Sequence, residues 1–477
     1  MNSKAILLVN PNFMRPPIAP LGLEYVAETL ADRGHAPVLC DLAFVEDWPA
    51  AIEAALGDVR PAACLITVRN IDDAYFASRD FVLERTRDVV RHVQAHFEGP
   101  IVLGGVGFST APREVLEYLE ADYGVWGEGE ATGLLMQAIS SGDVSRAPGA
   151  VYRDGGGKVR ANASLTSDGP ALRTVRRTFL DNARYFREGG QAGIESKRGC
   201  AKSCIYCVEP RAKGCVVRVR EPASVVEEMR TLVEQGVDVF HFCDSEFNIP
   251  TEHALALCDA IVKTGLAPHV RWYVYAYPQG VDAALAQAMA RAGCGGVNFG
   301  VDHLDPGMLR NLGRTYTYAD VQQATEACKQ AGIPVMLDVL LGGPGETGAT
   351  LADCIARLRT LPADRIGLSC GVRVYPHTPL ARLVQAFGST ERNPHLHGAT
   401  QANPDLLRPI FYVDAGIDGD IHDAVSDLVD NDARFLHANP NRTEGNYNYN
   451  DNRVLEDAIA RGERGAYWDI LRRLTSA

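Results

Sequence analysis

Three cysteines, Cys200, Cys204 and Cys207, lie within eight residues of one another in the stretch GCAKSCIYCVEP. Thiolates bind soft metals, and a Cys-x₃-Cys-x₂-Cys spacing can hold three irons of a [4Fe–4S] cluster. The fourth iron then has no protein ligand and can bind a substrate or cofactor, as the open position of a catalytic zinc does. The alternative is a zinc site with Cys215 as fourth ligand, although zinc sites usually combine two short paired spacings.

The composition excludes several functional classes. The 477-residue chain has a formal net charge of −13 and no long run of Lys and Arg, which argues against a nucleic-acid partner. Its apolar runs are far shorter than a membrane span, and its first residues lack the features of a signal peptide. Most of the twelve cysteines are single and sit in apolar segments, so we expect buried thiols in a cytoplasmic protein.

The first 145 residues alternate strand and helix patterns. Short apolar strands are predicted at 5–9, 37–42, 62–68, 101–105 and 123–127, with helical patterns between them. Five strands joined by crossover helices predict an α/β domain, a doubly wound Rossmann-like sheet that is covered on both faces.

Ligands of such sheets bind at the carboxyl ends of the strands. Here those ends carry many glycine and asparagine residues, where the backbone can approach a ligand closely. The candidate cofactor-binding residues are Asn10, Pro11, Asn12, Thr67, Arg69, Asn70, Gly104, Gly105, Gly107, Gly127, Glu128 and Gly129. Any one glycine could be a plain strand–helix turn, but together they predict a ligand site. Their spacing is not the G-x-G-x-x-G of a dinucleotide site.

A second alternating array occupies residues 191–385, after a connector at 146–190 that contains a glycine-rich hairpin signal. Strands are predicted at 192–196, 238–243, 269–275, 296–301, 334–341 and 365–374, and helices at 222–235, 251–264, 279–292, 318–331 and 347–360. This pattern predicts a partial (β/α)₆ barrel of the TIM type, with its chemistry at the C-terminal strand ends. The cysteine stretch follows the first strand and therefore falls on that rim.

The two arrays and their motifs resemble the cobalamin-dependent radical SAM enzymes. The cysteine spacing is similar to that family's cluster motif, and the set NPN, RNIDD, GGVGFS and WGEGE is similar to its cobalamin-binding domain. The resemblance implies a [4Fe–4S] cluster, S-adenosylmethionine chelated to the open iron, and cobalamin on the first rim. It covers nearly the whole chain and is weakest after residue 386.

The resemblance also implies roles around the cluster. Tyr206 is similar to the aromatic residue that packs on the adenine of S-adenosylmethionine, and Asp244, Ser245 and Glu246 fall in the segment that contacts its amino group. Several groups near strand ends could act as general acid or base. They are Glu209, His241, Glu246, His303, Tyr375 and His377.

Other positions follow from the last three strands of the barrel. Gly342 and Gly343 are similar to the strand-five segment near the adenine and sulfonium, and Tyr375 lies in the usual sixth-strand pattern. The family's fourth-strand Glu-Ser is replaced here by Asp302 and His303. Because of this departure, Asp302 and His303 do not match the family residues that contact the ribose or carboxylate of S-adenosylmethionine.

Arg69 has a particular position at the end of the third strand. Cobalamin domains of the methionine-synthase type carry a D-x-H-x-x-G motif whose histidine ligates cobalt from below. That motif is missing here, and His35 has the wrong sequence neighbours. A guanidinium is permanently cationic and a very poor metal donor, so Arg69 facing cobalt would leave the lower position without a ligand and favour methyl transfer. A salt bridge from Arg69 to Asp72 or Asp73 is the alternative.

The resemblance therefore implies a C-methyltransferase that uses methylcobalamin and a 5′-deoxyadenosyl radical on a small-molecule substrate. It also implies an external one-electron reductant of the flavodoxin or ferredoxin type. One alternative is a cobalamin-dependent radical SAM cyclase or rearrangement enzyme, with S-adenosylmethionine itself as a conceivable substrate. Another is a non-catalytic cobalamin sensor, which would not need the cluster motif.

Residues 386–477 predict a small, mostly helical segment that caps the barrel and favours a small substrate. Helices are predicted at 418–436 and 454–474, with the polar loop NRTEGNYNYNDN at 441–452 between them. Aromatic residues of this segment are expected to pack against the barrel, or, for the NYNYNDN loop, to contact substrate. They are Tyr447, Tyr449, Tyr467 and Trp468.

Overall fold

The computed structural model describes residues 4–165, 172–441 and 449–476. Two seven-stranded sheets follow the two predicted arrays, which confirms the α/β fold class. Among the described helices, none is long and apolar enough to cross a membrane.

The first sheet has a doubly wound core. Its strands are β1 (Ala5–Asn10), β2 (Ala36–Asp41), β3 (Ala63–Thr67), β4 (Ile101–Gly104), β5 (Tyr123–Val125), β6 (Ala150–Arg153) and β7 (Val159–Ala161), in the order β2-β1-β3-β4-β5-β6-β7. The helices are α1 (Leu21–Asp32), α2 (Trp48–Val59), α3 (Leu83–His96), α4 (Val106–Thr110), α5 (Pro112–Leu119) and α6 (Thr132–Ser141). The first five strands are parallel, and the order reverses between β1 and β3. The candidate residues at 10–12 and 67–70 therefore flank the switch point where such sheets bind ligands.

Strand β1 shows why this sheet forms. Leu7 and Val9 face one apolar layer, and Ile6 and Leu8 face the other. A strand buried on both faces must be apolar throughout, as AILLV is. Each fully buried aliphatic side chain contributes about 1.5–3 kcal/mol to this packing.

The barrel contains most of the remaining elements. Its strands and the small strands around it are β8 (Ala192–Ile194), β9 (Lys197–Arg198), β10 (Arg218–Val219), β11 (Val239–Phe242), β12 (Arg271–Ala276), β13 (Cys294–Asp302), β14 (Val335–Leu341), β15 (Arg365–Cys370), β16 (Val372–Arg373), β17 (Leu396–Gly398), β18 (Ile410–Tyr412) and β19 (Phe435–Leu436). The barrel sheet is parallel, in the order β19-β15-β14-β13-β12-β11-β8. Strands β9 and β10 form an antiparallel ribbon, and β16, β18 and β17 form a third small sheet.

Twelve further helices accompany these strands in the described chain. They are α7 (Asn182–Gly189), α8 (Glu209–Lys213), α9 (Pro222–Glu234), α10 (Thr251–Lys263), α11 (Ala283–Arg291), α12 (Pro306–Leu312), α13 (Tyr318–Gln330), α14 (Gly348–Thr360), α15 (Pro379–Ala386), α16 (Ile421–Val429), α17 (Arg453–Ala460) and α18 (Tyr467–Ser476). Four 3₁₀ turns complete the described elements, at Leu42–Phe44, Gly129–Ala131, Ala267–His269 and Thr390–Arg392. The largest apolar core lies between these helices and the outward face of the strands.

Several boundaries differ from the sequence prediction. The predicted hairpin at 150–161 forms, and it extends the first sheet as β6 and β7. The segment predicted as one strand at 365–374 breaks at Gly371, whose φ of +76° turns β16 out of the barrel. The short helix α4 was not predicted, because its sequence GGVGFST looks like a turn.

The C-terminal segment is less helical than the sequence suggested. The helix predicted at 418–436 ends at Val429, and β19 then joins the barrel sheet beside β15. The helix predicted at 454–474 is two helices, α17 and α18, separated by a segment that holds Gly462 and Gly465, both at positive φ. Residues 442–448, which include Tyr447 and the first three residues of the predicted NYNYNDN loop, lie outside the described residues.

A buried charge triad holds the connector to the barrel. Glu228 on α9 pairs with Arg177 at 3.0 Å and with Arg220 at 2.6 Å, and all three side chains are fully buried. Arg177 also donates to the carbonyl of Gly193 on the edge of β8. Burial of three charges is tolerable only while each has its partner.

We predict that Glu228→Gln lowers the free energy of unfolding by about 3–5 kcal/mol, because two buried guanidiniums would then face each other without a counter-charge. Urea denaturation measures this without screening charges. The matched control is Glu227→Gln, whose carboxylate pairs with Arg230 at the surface and should change stability by less than about 0.5 kcal/mol. Equal losses in the two variants would contradict the prediction.

Candidate functional site

The carboxyl-end rim of the first sheet faces the barrel. Trp126, after β5, donates its indole N–H to the carbonyl of Arg211 at 3.1 Å, and Arg211 in turn donates to the carbonyl of Thr110 at 3.1 Å. At another point Asp72 and Arg373 form a buried pair at 2.7 Å. The first sheet and the barrel, which the sequence predicts as two separate arrays, therefore contact each other along one interface.

A cavity of about 300 Å³ lies at this interface. Its walls are mostly apolar on the first-sheet side and charged on the barrel side. The candidates among its lining residues are Thr67, Arg69, Gly104, Gly105, Gly127 and Gly129, and they are joined by Gly22, Val26, Ser109, Glu195, Arg198, Lys213 and Cys243. The sequence patterns did not predict this second group as site residues.

Glycines shape the cavity. A Cβ atom at Gly22 or at Gly104 would have no heavy atom within 4 Å, so both backbones face open space. Gly105 (φ +101°) is different, since a Cβ there would lie 2.5 Å from the carbonyl oxygen of Val68. The first two glycines form a cradle that a side chain would fill, and Gly105 lets α4 begin close to the loop after β3.

The polar candidates of the rim divide into two groups. The amide nitrogen of Asn10 donates to Asp41 at 2.8 Å and to the Tyr185 hydroxyl at 3.0 Å, whereas its buried Oδ1 has no partner in the described structure. Asn12 accepts from the backbone N–H of Met14, and its buried Nδ2 has no partner within the described ranges. Its free donor suits an amide-bearing ligand such as the corrin that the resemblance implies.

Arg69 does not form the salt bridge considered as its alternative. Its Nη1 lies 3.2 Å from the sulfur of Met14, which also lies 3.7 Å from the amide of Asn70. Asp72 is paired with Arg373 instead. Burial lowers the pKa of Arg69, and the guanidinium projects into the cavity without a carboxylate partner in the described structure. His35 precedes β2, at the opposite end of the strands from this rim.

The cysteine loop is closed at its base by the β9–β10 ribbon. Gly199 begins the loop at φ +101°, where a Cβ would lie 2.1 Å from the carbonyl oxygen of Val216. Cys200 donates its N–H to Gly214, and the N–H of Cys207 bonds to the carbonyl of Cys204. The loop is therefore held by its backbone, which leaves the sulfurs to bind metal.

The thiol arrangement suits a cluster better than zinc. Around one tetrahedral zinc with Zn–S bonds of about 2.3 Å, sulfurs lie roughly 3.8 Å apart. Across the described part of the chain, no three sulfurs among Cys200, Cys204, Cys207 and Cys215 lie within 4.8 Å of one another. Burial raises the pKa of Cys204 to about 11 and that of Cys207 to about 12, so a bound metal would have to displace these protons.

Glu128 joins the two rims through the ribbon. Its carboxylate bonds to Arg198 on β9 and, at 2.5 Å, to Arg218 on β10. The two arginines are direct cross-strand partners, a pairing of like charges that is destabilising on its own. Arg198 also contacts Glu195 at 2.7 Å and Glu130 at 3.3 Å. Burial would raise the pKa of Glu195, but the Arg198 guanidinium outweighs it and holds that pKa below its usual range.

The predicted adenine-packing residue Tyr206 lies in a polar network. Its hydroxyl donates to Asp302 at 2.6 Å and accepts from Arg314 at 2.8 Å. Arg314 also donates from Nε to Asp302 at 2.5 Å, so the carboxylate is shared by both partners. Asp302 is thus next to the cysteine loop, where it positions Tyr206.

The segment after β11 supplies one available acid. Burial raises the pKa of Glu246 to about 7, and the nearest cation is Arg314 at 4.0 Å. Ser245 donates to Glu209 at 2.8 Å, which places both beside the cysteine loop. Asp244 is enclosed, since it accepts from the backbone N–H groups of Ser196 at 2.8 Å and Lys197 at 3.2 Å.

Three predicted groups lie away from the cavity. His303 is fully buried, with Nδ1 accepting from the N–H of Asp305 and Nε2 therefore donating to Glu346 at 3.1 Å. The same Glu346 accepts from the N–H groups of Gly342 and Gly343, so it fixes the turn after β14. The geometry gives His303 a structural part and does not support an acid–base role.

Two further candidates are engaged at the interface between the sheets. The hydroxyl of Tyr375 donates to Asp72 at 3.2 Å, and its ring packs under the Arg373 guanidinium. His377 lies 2.8 Å from Glu114 and is 42% exposed. Neither side chain reaches the cysteine loop through a hydrogen bond in the described chain.

The cavity reaches the inner face of the barrel at Cys243, and the space inside the barrel strands forms its barrel chamber. Phe240 and Phe242 point outward into the helical core, so His241 and Cys243 point inward by strand alternation. Tyr275 on β12 is 44% exposed, yet burial raises its pKa, and its ring lies 4.9 Å from that of His241. Because Tyr275 is accessible to solvent and yet surrounded by protein, it lines an internal space.

Polar groups and an aromatic floor define this chamber. Asn298 on β13 donates to Asp338 on β14 at 2.7 Å, and its buried Oδ1 has no partner among the residues described. Below them Tyr273, Met336 and Trp468 form a separate apolar cluster. This chamber could have been predicted from the sequence, because three consecutive apolar strands each carry one inward polar residue. These residues are Tyr275, Asn298 and Asp338.

The described aromatic residues of the C-terminal segment, Tyr449, Tyr467 and Trp468, pack at the base of the barrel, as the first of the two expectations predicted. The ring of Trp468 meets that of Tyr273 edge-on at 6.3 Å, and Tyr467 donates its hydroxyl to the carbonyl of Gly189. Gly296 makes room for this packing, because a Cβ there would lie 2.8 Å from the Trp468 ring. Tyr449 lies 5.8 Å from Tyr467, ring to ring.

Comparison with known families agrees with both halves of the chain. Residues 15–135 match the B12 binding domain, and residues 194–358 match the Radical SAM superfamily. Tryptophan 2-C-methyltransferase from Streptomyces laurentii is 31% identical, over 87% of this chain and 80% of its own length. Ribosomal protein uS12 methylthiotransferase RimO from Desulforudis audaxviator is 25% identical, over 46% of this chain and 50% of its own.

Solved structures extend the comparison to the whole chain. The radical S-adenosylmethionine methyltransferase TsrM from Kitasatospora setae, with tryptophan substrate and the analogue aza-SAM bound, has a TM-score of 0.91 and 31% identity over 99% of this chain and 100% of its own. The cobalamin-dependent S-adenosylmethionine radical enzyme OxsB has a TM-score of 0.70 at 16% identity, over 86% of this chain and 64% of its own. The second likeness shows the fold alone.

We predict that Glu128→Gln weakens the closure of the cysteine loop, because Arg218 would lose its carboxylate partner and face Arg198, which keeps Glu195 and Glu130. The free energy of unfolding should fall by about 3 kcal/mol. The variant should also retain less iron than wild type after reconstitution and desalting. Iron and sulfide analysis measures this. The control is Glu188→Gln, which breaks an exposed pair with Arg184 and should keep the wild-type iron content. Full iron retention in Glu128→Gln would contradict the prediction.

Proposed function

This chain belongs to the cobalamin-dependent radical SAM methyltransferases, and we propose that its substrate is tryptophan or a closely related indole. The family assignment makes it an enzyme that methylates carbon in a small molecule, with a [4Fe–4S] cluster, S-adenosylmethionine and cobalamin as cofactors. The non-methylating cyclase or rearrangement enzyme is not favoured, since the two TsrM structures match over the full chain.

The observation that carries the substrate proposal is the match to a tryptophan-bound relative over its entire length. The relative from Streptomyces laurentii is also named for methylation at position 2 of tryptophan. The floor of the barrel chamber agrees with an indole substrate, because it is formed by aromatic and thioether side chains.

His241 is the group we propose as partner for the indole N–H. Its Nδ1 lies 3.1 Å from the carbonyl oxygen of Phe242, which can only accept, so Nδ1 carries the ring proton. Burial lowers the pKa of His241 to about 4, so the ring is neutral near pH 7. Its Nε2 then presents a lone pair on the inward side of β11, beside Tyr275. The unpartnered Oδ1 of Asn298 is a second acceptor at the chamber wall.

The residues around the cysteine loop fit the cluster. Cys200, Cys204 and Cys207 would hold three irons, which leaves one iron for S-adenosylmethionine. We propose that Tyr206 packs on the adenine, held in place by Asp302 and Arg314.

Acidic residues beside the loop would orient the rest of the cofactor. Glu246 is half-buried beside the loop, and Glu209 is held by Ser245 and by Lys213 at 3.1 Å. We propose these carboxylates as the groups that receive or position protons near the amino group of S-adenosylmethionine.

The residues on the first rim fit cobalamin. The open cradle at Gly22 and Gly104 suits a large ligand lying over exposed backbone. We propose that Arg69 faces the metal from the first sheet, because it projects into the cavity and has no carboxylate partner among the residues that the structure describes. Together the bound cofactors supply the methyl group and the means to activate it.

The partner and location follow from the chemistry of the cluster. We propose an external one-electron reductant of the flavodoxin or ferredoxin type, because the cluster must be reduced to act. We also propose a cytoplasmic location, since all twelve cysteines are free and a reducing compartment keeps them so.

We predict that the reconstituted enzyme transfers label from methyl-labelled S-adenosylmethionine to tryptophan, at position 2 of the indole. Mass spectrometry detects the labelled product, and NMR gives the position. The matched control is 1-methyltryptophan, which lacks the ring N–H and should be methylated at least about tenfold more slowly, the cost of leaving a buried acceptor unpaired. Absence of labelled tryptophan from enzyme with full iron and cobalt content would contradict the substrate proposal.

We predict that Gly104→Val lowers the affinity for cobalamin by at least tenfold, about 1.4 kcal/mol, because the new side chain fills the cradle. The variant should fold normally, since no heavy atom of the protein lies within 4 Å of the added Cβ. Equilibrium dialysis with hydroxocobalamin measures the affinity. Gly348→Val is the control at an exposed glycine with equal clearance, and it should bind as wild type does. Unchanged binding in Gly104→Val would place cobalamin elsewhere.

A further inference from the structure

A cluster of two histidines and one glutamate lies on the outer helices of the first sheet. The Nε2 atoms of His92 and His96 lie 3.2 and 3.7 Å from Oε1 of Glu53. One ligand atom from each residue falls within 4.8 Å of the other two. We propose that this cluster binds a divalent transition metal ion of the zinc class.

The helices bring these three residues together by simple geometry. His92 and His96 are four residues apart on α3, so they lie one turn apart on the same face. Their ring centroids are 4.5 Å apart. Glu53 comes from α2, which packs against α3. Paired histidines at this helical spacing are a common way to hold zinc.

The ring orientations leave the metal-binding nitrogens free. Nδ1 of His96 lies 2.9 Å from the carbonyl oxygen of His92, so it must donate and Nε2 keeps its lone pair. A hydrogen bond from the far nitrogen to a carbonyl is the usual support for a zinc-bound histidine. The His92 ring is held edge-on against Trp48, with centroids 5.4 Å apart.

His92 supplies an independent sign of a missing ligand. Its Nε2 is buried and has no hydrogen-bond partner in the described chain, although the Glu53 carboxylate is near it. A plain hydrogen-bonded pair would satisfy this atom, whereas a metal between the three groups would satisfy all of them. Two imidazoles and one carboxylate favour zinc over magnesium or calcium, which prefer oxygen ligands.

The site is separate from the cofactor rims. His96 is the last residue of α3 and opens with Glu53 onto a surface groove lined also by Arg60 and Phe97. Three protein ligands leave a fourth position for water or a small anion. A metal here would clamp α2 to α3 on the outside of the sheet, and the proposal is independent of the substrate.

Zinc analysis of tag-free holoenzyme tests the proposal. After equilibration with zinc and desalting, wild type should retain about one more zinc per chain than His92→Gln/His96→Gln, with equal iron and cobalt in both. Glu53→Gln should bind zinc at least about tenfold more weakly, because it loses the anionic ligand. His269→Gln is the control, since it removes an exposed histidine outside the cluster.

X-ray absorption at the zinc edge separates this site from adventitious binding at cysteine. Zinc held by the cluster should show only nitrogen and oxygen neighbours near 2.0–2.1 Å, whereas zinc on thiolate shows sulfur at about 2.3 Å. Equal zinc content in wild type and the double-histidine variant would overturn the proposal. So would a sulfur shell around the additional zinc.

Discussion

The pairing of Glu128 with Arg198 and Arg218 is the contact on which the rest of the site depends. The ribbon that closes the cysteine loop places two guanidiniums opposite each other, and the carboxylate that neutralises both comes from the other sheet. The loop can therefore close fully only when the two rims have met. Because the partners are buried, the contact is insensitive to salt and specific in geometry.

That dependence explains how two cofactor sites on separate sheets can work on one substrate. The rims are held face to face by buried ion pairs and by hydrogen bonds to main-chain carbonyls, such as those of Trp126 and Arg211. The barrel interior between them is left open where three strands carry polar side chains inward. A rigid frame around an open, desolvated chamber keeps the reacting groups aligned and excludes bulk water.

Much of the fold was readable from the sequence, because each strand of a doubly covered sheet must be an apolar run of limited length. The cysteine loop was readable for a similar reason, since its chemistry depends on spacing within eight residues. The sequence could not show which charged side chains, far apart in the chain, form ion pairs in the fold. Glu128 looked like a rim residue open to ligand, and its partners lie 70 and 90 residues further along the chain. From the sequence, His303 is a candidate acid or base, but in the fold it contacts Glu346, which lies 43 residues further along the chain. The strand β19 is only two residues long, too short for any periodicity to mark it.

The barrel floor has a consequence for how the protein is made. The strand β19 and the helix α18, which carries Trp468, follow the cysteine loop and both rims along the chain and are therefore synthesised after them. Domains fold in the order in which they leave the ribosome. Until β19 and α18 have been synthesised, the barrel is therefore an open half-shell whose edge at β15 is unpaired, and its interior remains reachable from below. These later elements seal it, so the interval between the synthesis of the barrel strands and that of α18 sets how long the interior can still be entered from that side.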